Sequence, residues 1–188
     1  MNKQDLISNI SSQVDIKLFE LLIDEYINLE NRFVFCDWEP LTLDGGQFTE
    51  IYSRIIYHLD SGNLNRRKGV NECLEYIEDI KNQNLHSAID LRAFRHMCKV
   101  LRTVYKFRSQ RGSIHIDPDY SANEIDGFYL VAAIRWLLAE LIRLFWNGTP
   151  VNASTIIKEI VNYKYPIIFN GGDIPLIMEK NFQPKKKY

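Results

Sequence analysis

Apolar side chains recur in this chain at intervals of three and four residues, and nowhere do they sustain a two-residue alternation, which restricts the chain to helices packed on helices. Leu18, Leu21, Leu22, Tyr26 and Leu29 give a first helix ending near Asn31. The aromatic stretch Phe33-Val34-Phe35-Cys36-Asp37-Trp38-Glu39-Pro40 follows as a packed connector. Asp44-Gly45-Gly46-Gln47 reads as an N-cap with Gln47 reaching back, opening a second helix through Phe48, Ile51, Tyr52, Ile55, Ile56 and Leu59 that stops at Ser61-Gly62. A polar, basic loop over 63–69 leads to a short helix over 70–82 and a long one from about Ser87 to Gln110. Ser121 and Glu124 have the spacing of a capping box for a last long helix, which Gly148 ends. A further amphipathic helix is expected over 151–161, and one more helical turn over 174–179. The expected architecture is all-α: a bundle of long antiparallel helices over residues 1–150, with a short helical extension and tail over 151–188.

The chain has 188 residues, a formal charge of −1 and no internal repeat, so a single well-formed core fits and two full domains would be cramped. With charge near balance, any attraction for nucleic acid has to be local. Cys36, Cys73 and Cys98 lie far apart, with no CxxC, which argues against a disulfide framework and a zinc site and for a reducing, cytoplasmic setting. The N-terminal residues lack the apolar run of a signal peptide. The most apolar segment, 127–146, carries Arg135, Glu140 and Arg143, and a bilayer would penalise each Arg by roughly 2.5–3.5 kcal/mol, so a buried helix is expected there and not a membrane span.

Chemistry concentrates before that segment. Arg92, Arg95, Lys99, Arg102 and Lys106 follow one another at three, four, three and four residues, a basic ridge along one helix, while Phe94, Met97, Cys98, Leu101 and Val104 form its apolar stripe. Asp90 is the only acidic residue from 90 to 111, against seven Lys and Arg, so the end of this helix is locally positive. Arg108 falls not on the ridge but over the apolar stripe, in line with Leu101 and Val104. A cation on that side needs a partner or a function, and the choices are a carboxylate such as Glu140 or Asp126, the helix C-terminus, or a phosphate. Beyond Arg108, with six residues between them, stands His115, the one histidine of four with an Arg placed this way. A guanidinium that grips phosphate oxygens and an imidazole that titrates near neutrality are sufficient to cleave RNA without a metal.

Arg108-Ser109-x5-His115, on a basic helix followed by a loop and a long apolar helix, resembles the R-x4-6-H motif of the HEPN superfamily, with Ser109 as the polar residue after the Arg. The segments 43–50 and 132–143 look similar to HEPN-like bacterial proteins encoded near defence systems, and the resemblance spans roughly residues 40–147. It implies a HEPN-like bundle and an endoribonuclease that needs no cofactor or metal and works as a homodimer with two motifs facing each other. Arg108 would bind the scissile phosphate and His115 would serve as general acid or base, leaving a 2′,3′-cyclic phosphate. The resemblance also implies an antiphage-defence or toxin–antitoxin setting, with a neutralising or activating protein partner. Some members of that superfamily are catalytically inactive and bind nucleic acid or a partner protein, and both readings stand at this point.

Ser109, Arg111, Ser113, Arg95, Lys99 and Arg102 are the candidate phosphate and RNA contacts, while Asp117 and Asp119 just beyond His115 would repel a phosphate unless they orient the imidazole. His58, His86 and His96 lack a metal-ligand set and read as ordinary imidazoles. Glu50 follows Gly46 on a helix and could approach the site, but reads first as a solvated helical carboxylate. Trp136 and Trp146 suit core or dimer packing, and Tyr129, Trp136, Glu140 and Arg143 form a candidate group around the site.

Overall fold

The computed structural model describes residues 3–10, 12–79, 91–110, 121–146, 152–161, 167–171 and 174–178, with backbone alone at 91–92, 109–110 and the last two segments. Its elements are α1 (Lys3–Asn9), α2 (Ile16–Val34), α3 (Trp38–Ser61), α4 (Val70–Glu78), α5 (Leu91–Gln110), α6 (Glu124–Phe145), α7 (Ala153–Ile160), β1 (Ile167–Gly171) and β2 (Ile174–Met178). A helical bundle is what the periodicity predicts, and α2, α3, α5 and α6 are its long members.

Helix α3 is the axis around which the others pack. Leu41 faces Gly127, Gly45 faces Leu130 and Ile134, and the Tyr52 hydroxyl donates to the Leu137 carbonyl at 2.8 Å, so α6 lies parallel to α3. Gly46 faces Arg108 and Tyr52 lies 3.4 Å from Met97 Sδ, so α5 runs antiparallel to both. On the other flank α2 turns back at 35–37 and is tied to α6 by Arg135, whose Nε and Nη2 donate to the two oxygens of Glu30 at 2.6 and 2.7 Å. Phe19, Leu22, Tyr26, Phe48, Tyr52, Ile55, Phe94, Leu101, Leu137 and Leu141 fill the centre, each 1 % exposed or less. Ile156, Ile157 and Ile160 of α7 belong to the same cluster, so the core runs past residue 150.

Helix ends follow local chemistry, and here several expectations are corrected. Asp15 caps α2 by accepting from the Leu18 N–H at 2.9 Å. Asp44-Gly45-Gly46 is no helix start: α3 begins at Trp38, after Asp37, and runs straight through both glycines. Pro40 is tolerated there because the N–H it lacks belongs to the first turn, which has no intrahelical acceptor. The cap of α6 is Asn123 and not Ser121. Its side chain accepts from the N–H groups of Ile125 and Asp126 at 2.9 and 3.2 Å, and the Asp126 carboxylate accepts from the Asn123 N–H at 3.1 Å. Gly62, at φ 69°, ends α3 in the left-handed conformation that glycine adopts without a Cβ penalty. Two stops come earlier than expected, α4 ending at Glu78 before Asn82 and α6 at Phe145 before Gly148, each with an extended C-cap residue, while the expected start at Ser87 lies outside the described residues.

The predicted turn over 174–179 is also overturned, because β1 and β2 pair antiparallel there, from Ile167↔Met178 to Gly171↔Ile174. That register leaves Gly172 and Asp173, which lie outside the described residues, between the two strands. Helical spacing cannot be told from strand spacing over so short an apolar run.

Candidate active site

Arg108 lies in the last turn of α5, above Val104, which is fully buried. Its aliphatic stem crosses α3 at Gly46: a Cβ built on that glycine would stand 2.5 Å from Arg108 Cδ, 3.1 Å from Cγ and 3.2 Å from Cβ. Two glycines inside a long helix are costly in isolation. Of the two, Gly46 is explained by approach, to Arg108, whereas a Cβ at Gly45 would meet Ile134, Leu130 and Val104 at 3.7–3.8 Å, ordinary van der Waals contact. Beyond the glycine the guanidinium reaches the next turn of α3, where Nη1 donates to Glu50 Oε1 at 2.5 Å. The other oxygen of Glu50 faces Arg54 Nη2 at 3.5 Å, one further turn along. Arg108 Cζ lies 6.0 Å from the centroid of the Tyr105 ring.

The partner of Arg108 is thus a carboxylate, one of the three choices left open, but neither Glu140 nor Asp126. Glu140 bonds Arg143 on its own helix, and Asp126 takes part in the α6 cap. Glu50, expected to be solvated, is the carboxylate that meets Arg108. Spacing contained the signal: Gly46, Glu50 and Arg54 recur every four residues, which puts a gap, an anion and a cation in one line along α3. The pair is not sealed from water, since the Arg108 and Glu50 side chains keep 34 % and 30 % of their surface. An ion pair this exposed is worth little as pure Coulomb attraction. It orients the guanidinium, and of that group's five N–H donors Glu50 accepts one.

His115, Arg111 and Ser113 lie outside the described residues, as do Asp117 and Asp119, and the Ser109 side chain is likewise undescribed. On the basic ridge the three candidate contacts differ. Arg102 is taken by Glu78, which accepts from Nε at 3.1 Å and from Nη2 at 2.6 Å. Lys99 is exposed. Arg95 has its Nε and Nη2 buried without a hydrogen-bond partner among the described residues. Of the candidate group around the site, Tyr129 is the member that touches the residue beside Arg108, stacking on Phe107 at 5.4 Å between centroids. Trp136 packs on His96 at 4.8 Å instead.

Among the described residues no group of three His, Cys, Asp or Glu side chains is placed to hold a metal ion, and no helix is long and apolar enough to cross a membrane. Burial pushes the Cys98 thiol up to about 12, with Glu78 adding to the shift, and burial also raises Cys73. Neither thiol is a nucleophile near neutral pH. Comparison with protein-family models, with curated proteins and with solved structures finds no match to this chain.

Proposed function

We propose that the chain is a metal-independent endoribonuclease of the HEPN type, acting as a homodimer in the cytoplasm of a bacterium, in antiphage defence or as the toxin of a toxin–antitoxin pair. The observation that carries this reading is the seat of Arg108. A glycine opened for its stem and a carboxylate one turn away hold a guanidinium, still one-third exposed, at the C-terminal end of a basic helix. Further along the chain, after six intervening residues, stands the imidazole that the chemistry requires.

In this mechanism Arg108 grips a non-bridging phosphate oxygen and stabilises the charge that builds there. His115 takes the proton of the 2′-hydroxyl as its oxygen attacks phosphorus, or gives one to the departing 5′-oxygen, and the products are a 2′,3′-cyclic phosphate and a 5′-hydroxyl. Glu50 fixes the guanidinium plane, and Lys99, Ser109, Arg111 and Ser113 are the candidate contacts to flanking phosphates, whereas the buried Nε and Nη2 of Arg95 do not face an RNA strand.

A second reading has an observation of its own. Glu50 already neutralises Arg108, and Glu78 neutralises Arg102, as in a catalytically silent module that binds nucleic acid or a partner protein. Total RNA incubated in EDTA with the wild-type chain, Arg108→Ala and His115→Ala separates the two. The nuclease reading expects cleavage by the wild type with cyclic phosphate ends, reduced at least ~100-fold in each variant, the scale of a lost general acid or base. Cleavage that survives in both variants overturns the assignment of these residues, and RNA binding without cleavage by the wild type favours the silent module.

A further inference from the structure

Three consecutive cations, Arg66, Arg67 and Lys68, stand in the loop between α3 and α4, and the outer two hold that loop in place. Arg66 Nη2 donates to both carboxylate oxygens of Asp15, at 3.1 and 2.9 Å. Lys68 Nζ lies 3.7 Å from Glu72 and 4.9 Å from the centroid of the Tyr57 ring, and the Lys68 carbonyl accepts from Arg54 Nε at 3.0 Å. Between them the Arg67 N–H donates to Asn65 Oδ1 at 3.0 Å, which fixes its backbone. The Arg67 side chain is exposed, and its guanidinium has no hydrogen bond or ion pair among the described residues. Arg54 links this loop to the candidate active site: its Nη2 faces Glu50 Oε2 at 3.5 Å, while Glu50 Oε1 accepts from Arg108. Nη1 of Arg54 is left without a partner among the described residues.

We infer that an RNA strand gripped at Arg108 continues along α3 to this loop, with Arg54 and Arg67 on its next phosphates. The inference rests on reading Arg108 as a phosphate grip, and it gives that site the path of its substrate. Gly46, Glu50 and Arg54 stand on successive turns of α3, so Arg54 lies one turn beyond the carboxylate that holds Arg108. Arg67 in turn adjoins the residue whose carbonyl holds Arg54. The basic ridge of α5 offers no such continuation. Lys106 and Lys99 precede Arg108 by two and nine residues, which at ~100° per residue sets them about 160° and 180° around the helix from it. Arg102 is taken by Glu78, and Nε and Nη2 of Arg95 are buried. Local charge favours the path along α3. The carboxylates paired with Arg54, Arg66, Lys68 and Arg108 are Glu50, Asp15 and Glu72, and Arg67 adds a cation that none of them neutralises. Contacts of this kind hold the backbone in register and do not read bases, so neither Arg54 nor Arg67 selects a sequence.

The test is binding of a 2′-O-methyl oligouridine, which lacks the attacking 2′-hydroxyl and so cannot be cut, read by fluorescence anisotropy with the full chain over a series of salt concentrations. Arg67→Ala and Arg54→Ala should each weaken binding at least ~3-fold and lower the slope of log affinity against log salt by about 0.7, the share of one phosphate on a single strand. Arg67→Ala is the decisive variant, because it removes no side-chain contact within the chain, whereas Arg54→Ala also releases the Lys68 carbonyl. Arg67→Lys should keep the slope, since an ammonium still neutralises a phosphate. Lys99→Ala, on the far side of α5, should leave affinity and slope unchanged. Wild-type affinity and slope in Arg67→Ala, or a loss seen with Lys99→Ala in its place, overturns the path, as does a wild-type chain that binds no strand. Cleavage of unmodified RNA separates this result from the nuclease reading. Cutting by the wild type with KM unchanged in Arg67→Ala removes the path and leaves the nuclease, whereas binding with the expected slopes but no cutting keeps the path and removes the nuclease.

Discussion

Gly46 and Arg108 occupy one space, so their substitutions cannot be independent. A methyl group at Gly46 would stand 2.5 Å from Arg108 Cδ, and because Cγ and Cβ are also close, a rotation of the guanidinium tip alone cannot relieve it. Gly46→Ala should therefore detach Arg108 from Glu50 and gain nothing in stability, despite the ~1 kcal/mol by which Ala outranks Gly inside a helix. In an Arg108→Ala background, where only the 3.2 Å approach to the Cβ at position 108 remains, the same change should be clearly less destabilising than in the wild type, and urea unfolding of the four proteins in the cycle measures the coupling. Equal effects in both backgrounds would show that the seat does not exist. The thiols give a second test at this scale. Cys36 is exposed, while Cys73 and Cys98 are buried and protonated near neutral pH, so one thiol per native chain should react quickly with a disulfide reagent at pH 8 and three after denaturation. Arg108 was legible in the sequence as a cation over an apolar stripe. Glu50 was legible only as a helical carboxylate that could approach the site, because its pairing with Arg108 depends on a glycine that local rules read as a turn signal and that tertiary approach explains.

The long helices are held to one another by a few buried polar groups placed among apolar ones, and each tie can be tested separately. The Tyr52 hydroxyl, fully buried, donates to a carbonyl of α6, and burial raises its pKa well above the usual tyrosine value, so it remains a donor at all ordinary pH. Tyr52→Phe should cost about 1–2 kcal/mol, the loss of one buried hydrogen bond with its carbonyl left without that partner. Glu30 is fully buried, and Arg135 reaches it with two bonds from a side chain that is half exposed. Arg135→Ala should cost about 3 kcal/mol, since the carboxylate then stays buried with less compensation, whereas replacing Glu30 and Arg135 together by Met should cost less than Arg135→Ala alone. Chemical denaturation at constant slope distinguishes these outcomes. Helical spacing made the long helices and their apolar stripes readable in advance. Their ends were less so: Ser121 and Asn123 both precede acidic residues at capping distance, and only the path of the chain into α6 selects Asn123. The hairpin was missed because five-residue apolar strands carry too little periodicity to outweigh a helical context.

At the scale of the whole molecule, the boundary placed near residue 150 by the pattern of punctuation crosses the packing. Ala153, Ile156, Ile157, Ile160 and Val161 are 1–6 % exposed and join the same cluster as Phe145 and Leu141 of α6, so α7 closes one end of the core and is not a separate extension. Its burial has a limit on what it contributes. Each large apolar side chain removed from water is worth about 1.5–3 kcal/mol, as an upper estimate, while each residue ordered into the helix costs ~1–2 kcal/mol of backbone entropy, so the two terms nearly cancel for a helix this short. What does not cancel is the α6 surface left bare when α7 is absent. A chain ended after Val161 should therefore exceed one ended after residue 150 by at least ~2 kcal/mol, seen as a melting temperature higher by about 4–8 °C in a protein of this size. The shorter chain should also bind a hydrophobic dye that the longer one ignores. Identical melting curves would mean that the core closes without α7, and that the buried isoleucines rest on a bundle already complete at α6.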